Sequence, residues 1–201
     1  MSLVKTSIQR RAIGFFIALF VTTPALAHVD VSHTLTGFAA GLSHPLFGLD
    51  HLLAMLAVGL WAAQSKPRAR WVLPLVFPSM MVLGALSGMA GIAVQGIETG
   101  IAGSVAILGL LIAFAVRLPV WASGLTVSVF ALLHGFAHGA EMPGNASVLG
   151  YGSGFLIATL LLHLTGLALG LFVKSQTADR AVRVIGAAVA TVGVFLLTVT
   201  G

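Results

Sequence analysis

Residues 151–173 read YGSGFLIATLLLHLTGLALGLFV, a run without one Asp, Glu, Lys or Arg. At 1.5 Å per residue, a helix of this length crosses a hydrocarbon core of about 30 Å. Apolar stretches of similar length recur near 45–64, 71–90, 99–116, 119–138 and 182–200. The composition agrees: 58% of the 201 residues are hydrophobic and only 7% are charged, against roughly 25% in a soluble domain. Mean hydropathy is +1.08. Such a chain cannot clothe a water-facing surface, which excludes a soluble enzyme, a disordered regulator and a nucleic-acid binder. The pI near 10.9 reflects ten Lys/Arg against five Asp/Glu that never gather into a basic patch. The absence of cysteine excludes disulfides and thiolate ligands. The fold class expected is an all-α integral membrane protein, a six-transmembrane-helix bundle after removal of an N-terminal signal peptide.

The signal is residues 1–27. Lys5, Arg10 and Arg11 form a positive n-region, residues 12–21 (AIGFFIALFV) an apolar h-region, and Ala25-Leu26-Ala27 a small-x-small cleavage pattern after Pro24. Residues 28–201 then form a single transmembrane domain beginning at His28 on the outer side. With that start, Lys66, Arg68 and Arg70 fall in the first inner loop, Arg117 in the second, and Lys174, Arg180 and Arg183 in the third. Every basic residue of the mature chain is thus on the inner side, as the positive-inside rule requires. The localisation expected is the bacterial inner membrane, multi-pass, with a periplasmic mature N-terminus.

Glycine is abundant, with 24 residues. Gly84, Gly88 and Gly91, then Gly150, Gly152 and Gly154, then Gly166 and Gly170 have the spacing that lets helices approach closely. Pro74 and Pro78 are expected to kink the second span. Met80, Met81 and Met89 read as core filler. The 35–42 stretch (LTGFAAGL) either extends the first span or lies at the interface.

Ionisable groups inside a bilayer are costly and mark functional sites. One group lies in residues 43–51 (SHPLFGLDH), where Pro45 reads as a helix start. His44 and His51, seven apart, share a face if both are helical, and Asp50 either ligates or orients an imidazole. Met55 sits one turn further on. The other group is residues 133–141 (LHGFAHGAE). His134, His138 and Glu141 present two imidazoles and a carboxylate on one helical face, the donors a borderline divalent cation prefers. Gly135 and Gly139 leave room for a neighbouring helix or an ion. Both groups lie in the outer leaflet. His163, ~18 Å into the fifth span, is either a further station on a path inward or interhelical glue. His28 and His33, with Asp30 and the free amine, can capture metal at the surface or form a polar tail.

At these residues the chain resembles the HupE/UreJ family of nickel/cobalt permeases. The resemblance rests on HPLFGLDHLLAMLAVGLWAAQ, residues 44–64, and on HGFAHGAE, residues 134–141, and covers essentially the whole chain. It implies import of Ni²⁺ or Co²⁺ across the bacterial inner membrane, with transport carried by His44, Asp50, His51, His134, His138 and Glu141. The partners implied are the divalent ion and the lipid bilayer, with no nucleic acid and no permanently bound cofactor. Association of the chain into a homo-oligomer is left open. The protein reads as a non-enzyme. No P-loop is present, so the chain is not expected to hydrolyse ATP. The alternative is an intramembrane zinc-dependent hydrolase built on His134 and His138, although HExxH is absent and Glu141 lies outside the pair. A bis-His haem protein is a further alternative, decided by an absorbance spectrum.

Overall fold

The first expected span, 45–64, is two helices rather than one. In the computed structural model, which describes residues 37–92, 94–142, 144, 146–172 and 176–200, α1 (Gly37–Phe47) and α2 (Leu49–Gln64) meet at Gly48 at an angle of 79°. Pro45 lies in the last turn of α1 and is not a helix start. Having no N–H, it cannot bond the Gly41 carbonyl, which weakens the helix just before its end. Gly48 follows in an extended conformation, φ −81° and ψ 111°, and the chain restarts as α2 in a new direction. The 35–42 stretch therefore contributes to a separate helix. The expected signal segment 1–27, with His28, Asp30 and His33, lies outside the described residues.

The remaining helices are α3 (Pro67–Met89), α4 (Ile97–Ala113), α5 (Val120–Ala140), α6 (Val148–Phe172) and α7 (Gln176–Thr200). The described residues contain no strand. Among the described residues four helices, α3, α5, α6 and α7, are each long and apolar enough to cross a membrane, and the bent α1–α2 pair makes a fifth if it is one span. α4, with 17 residues, is shorter. Trp71, Leu75, Trp121, Leu149 and Phe172 lie exposed on the outside, an apolar exterior that suits lipid rather than water. This is a multi-pass membrane protein.

α2 runs through the centre and packs against α1, α3, α4, α6 and α7. Its Met55, Val58 and Trp61 are fully buried with Leu73 and Phe77 of α3, Leu108 and Ile112 of α4, and Val127 of α5. A helix enclosed on all sides is apolar all round. Trp61 donates from Nε1 to the Val116 carbonyl (2.9 Å), so even its polar atom is satisfied within the bundle.

α3 and α5 meet most closely along a glycine seam. A Cβ at Gly84 or Gly88 would fall on the α5 backbone at Leu132 and Phe136. One at Gly135 or Gly139 would fall on the α3 backbone at Met81 and Ala85. Gly154 meets the α1 backbone and Gly166 the α2 backbone in the same way, while a Cβ at Gly170 would fall on the Ala63 side chain of α2. Two glycines of the expected seams do otherwise. Gly91 lies beyond the end of α3 with φ +73°, and Gly152 has nothing near it. Of the three methionines, Met81 is buried and Met80 packs on the core, whereas Met89 is exposed at a helix end.

Candidate metal site

The bend at Gly48 creates the site. α1 ends and α2 begins beside the C-terminal end of α5, so His44, His51, His134 and His138 arrive from three helices. The His44 ring lies 4.7 Å from that of His138 and 5.9 Å from that of His51, centroid to centroid. His51 lies 4.3 Å from His138 and 5.0 Å from His134. Imidazole nitrogens bind a first-row ion at about 2.0–2.1 Å, so two rings at right angles on one ion have centroids roughly 4.5 Å apart. The observed spacings are of that order. His44 and His51 do meet, although through the corner between two helices rather than along one face.

Glu141 caps the C-terminal end of α5 and is exposed. One ligand atom from each of His44, His138 and Glu141 lies within 4.8 Å of the others. The glycines of the motif have their own task. Gly135 and Gly139 carry the contact with α3, and the neighbour they admit is that helix.

Hydrogen bonds fix which nitrogens are presented. Asp50 stands in the first turn of α2, where a carboxylate suits the helix dipole. Its Oδ1 accepts from the His51 backbone N–H (2.8 Å) and from His51 Nδ1 (2.6 Å). An ionised carboxylate only accepts, so the proton resides on Nδ1 and the lone pair of Nε2 is left outward. That Nε2 is buried and unpartnered. Asp50 thus orients an imidazole, one of the two roles open to it from sequence. Gly48 belongs to the same device, since a Cβ there would stand 3.0 Å from His51 Nδ1.

His134 is set by Ser104 of α4. The Ser104 hydroxyl donates to the Ile101 carbonyl (2.7 Å), so its oxygen accepts from His134 Nε2 at 3.0 Å. His134 Nδ1 is then the lone-pair nitrogen, and it too is buried without a partner, as are both nitrogens of His138. Buried polar atoms are nearly always paired. Three neighbouring imidazoles with unpartnered nitrogens describe a place for a ligand.

Ser104, Tyr151 and Phe155 were not singled out by sequence. Phe155 packs 4.0 Å from His138, and Tyr151 packs 6.1 Å from His44. Tyr151 carries a signal, being the chain's single tyrosine. Ser104 carries none, because nothing local ties it to His134. His163 stands apart from the four rings. It is fully buried on α6, 5.1 Å from the ring of Phe77, which also packs 5.8 Å from His134. Both of its ring nitrogens are buried without a hydrogen-bond partner. Met55 is buried in the central core.

The chain is thus a multi-pass helical membrane protein with four imidazoles clustered beside Asp50. The family described as HupE / UreJ protein matches residues 16–196, and the chain belongs to it. The chain is 43% identical over 174 residues to Protein HupE of Rhizobium leguminosarum bv. viciae, covering 87% of this chain and 91% of that protein. No solved structure matches it.

Proposed function

We propose that this protein imports a divalent transition-metal ion, Ni²⁺ or Co²⁺, across the bacterial inner membrane, starting from the His44–His51–His134–His138 cluster. The observation that carries this reading is the convergence of three buried imidazoles whose free nitrogens have no other partner. Glu141, exposed beside His44 and His138, meets the hydrated ion first and offsets part of its charge. His44 and His138 replace water ligands, and His51 and His134 accept the ion deeper in. A site of mixed, incompletely closed ligands favours release, as transport requires. The alternation of basic loops supports six spans, with the cluster on the periplasmic side and a signal peptide removed before His28. No feature of the cluster favours the zinc-hydrolase alternative, since no general base stands within the His134–His138 pair.

Metal flux into proteoliposomes tests the proposal, with Ni²⁺, Co²⁺ and Zn²⁺ compared and His134→Ala and Asp50→Ala as controls. Flux that both substitutions abolish is the expected result. Folded protein that binds metal and moves none overturns the transport reading.

A further inference from the structure

The end of the bundle away from the imidazole cluster holds a second polar concavity. Gln64 lies thirteen residues along α2 from His51, about 20 Å, and lines a cavity of about 440 Å³ with Arg70, Arg117 and Arg183. The three arginines come from the start of α3, the α4–α5 connection and the start of α7. One acid, Asp179, shares the lining. Among the described residues no arginine is ion-paired to a carboxylate. Arg70 Nε donates to the Ser65 carbonyl (3.3 Å) and Arg183 Nε to the Ala113 carbonyl (2.7 Å). These bonds steady two guanidinium groups and leave their terminal nitrogens for a ligand. The Oε1 of Gln64 is buried without a partner, while its Nε2 donates to the Ile112 carbonyl (3.2 Å).

A positive-inside bias alone does not account for this arrangement. Lys66, Arg68 and Arg180 satisfy that rule equally well without lining the cavity. Beside it runs a groove of about 630 Å³ formed by Trp71, Leu164, Leu167, Ala168 and Phe172. Arg70 and Leu171 line both spaces. A cationic cavity that shares Arg70 and Leu171 with an adjacent apolar groove matches a molecule with an anionic head and an acyl tail.

We propose that Arg70, Arg117 and Arg183 bind the phosphodiester headgroup of an anionic phospholipid, with an acyl chain lying in the Trp71–Phe172 groove. Guanidinium groups suit phosphate through paired N–H donors. Basic pockets between spans on the cytoplasmic side are established places for anionic headgroups. The lipid would tie α3, the α4–α5 connection and α7 together at the inner surface.

The test is lipid titration of the full chain in neutral detergent, read by native mass spectrometry. Phosphatidylglycerol, phosphatidylcholine with the same acyl chains, and inorganic phosphate as competitor are compared. The expected result is preferential retention of phosphatidylglycerol that inorganic phosphate competes for only weakly. Arg70→Gln/Arg183→Gln should weaken that retention by roughly fivefold per charge removed. If the double variant does not fold, Arg117→Gln, whose side chain leaves those two backbone bonds in place, should lower it roughly fivefold. Equal retention of phosphatidylcholine, or unchanged retention in a folded variant, overturns the proposal. Full displacement by inorganic phosphate overturns the lipid assignment and leaves a site for a free anion.

Discussion

Asp50→Asn separates the charge of the carboxylate from its shape. The asparagine keeps the volume and an Oδ1 able to accept from His51 Nδ1, which stands 2.6 Å from Asp50 Oδ1. A charge-assisted hydrogen bond contributes about 1.5–3 kcal/mol and a neutral one about 1, so this bond weakens by about 1 kcal/mol. Loss of the charge from the first turn of α2 removes a further ~0.3–1 kcal/mol of helix-dipole interaction. Folding stability should therefore fall by no more than about 3 kcal/mol, and by less where neutralisation relieves the cost of burying the charge. Metal affinity should fall further. Loss of the carboxylate partner behind a ligating histidine typically costs about 10–100-fold, which is about 1.4–2.7 kcal/mol. Isothermal titration of purified protein with Ni²⁺ measures this, with thermal unfolding as the control for stability. His51→Ala and the double variant complete a cycle. If Asp50 acts by orienting His51, Asp50→Asn costs nothing more once His51 is absent. A tenfold loss that persists in the His51→Ala background would refute the reasoning and make Asp50 a direct ligand. Unchanged affinity in the single variant would refute it equally.

Four further outcomes follow from the geometry. Ser104→Ala removes the acceptor that holds His134 Nε2–H, costing about 1 kcal/mol in stability, and should raise the Kd for Ni²⁺ in the same titration. Gly135→Leu drives a side chain into the α3 backbone at Met81 and should cost at least 1–3 kcal/mol. Gly124→Ala, with open space around it, should stabilise α5 by up to about 1 kcal/mol, and thermal melts compare the two. His163→Leu should leave stability unchanged or raise it by about 1–2 kcal/mol, because an apolar side chain replaces a buried imidazole whose two nitrogens have no partner. Its Ni²⁺ affinity at the outer cluster should stay unchanged, and a tenfold loss would place His163 within that cluster.

The helical class was legible because a chain facing lipid must satisfy its backbone hydrogen bonds internally, and long apolar runs can do so only as helices. The residues of the cluster were legible too, since a His or Asp in an apolar run is costly enough to stand out. The break in the first span was hidden. Pro45 is compatible with either end of a helix, and packing of both helices against α6 decides that the chain turns at Gly48. Seam glycines could be listed but not matched, because Gly84 and Gly91 look alike in the chain, whereas only Gly84 has a backbone against it. Ser104 reaches His134 across 30 residues of sequence, and no local pattern encodes such a pair. Composition and spacing thus determined that this chain crosses a membrane as helices and carries imidazole and carboxylate groups within its apolar runs. Tertiary packing decided how the rings meet and which nitrogen His134 presents, because Ser104, which sets its tautomer, comes from another helix, whereas Asp50 stands next to His51 in the chain.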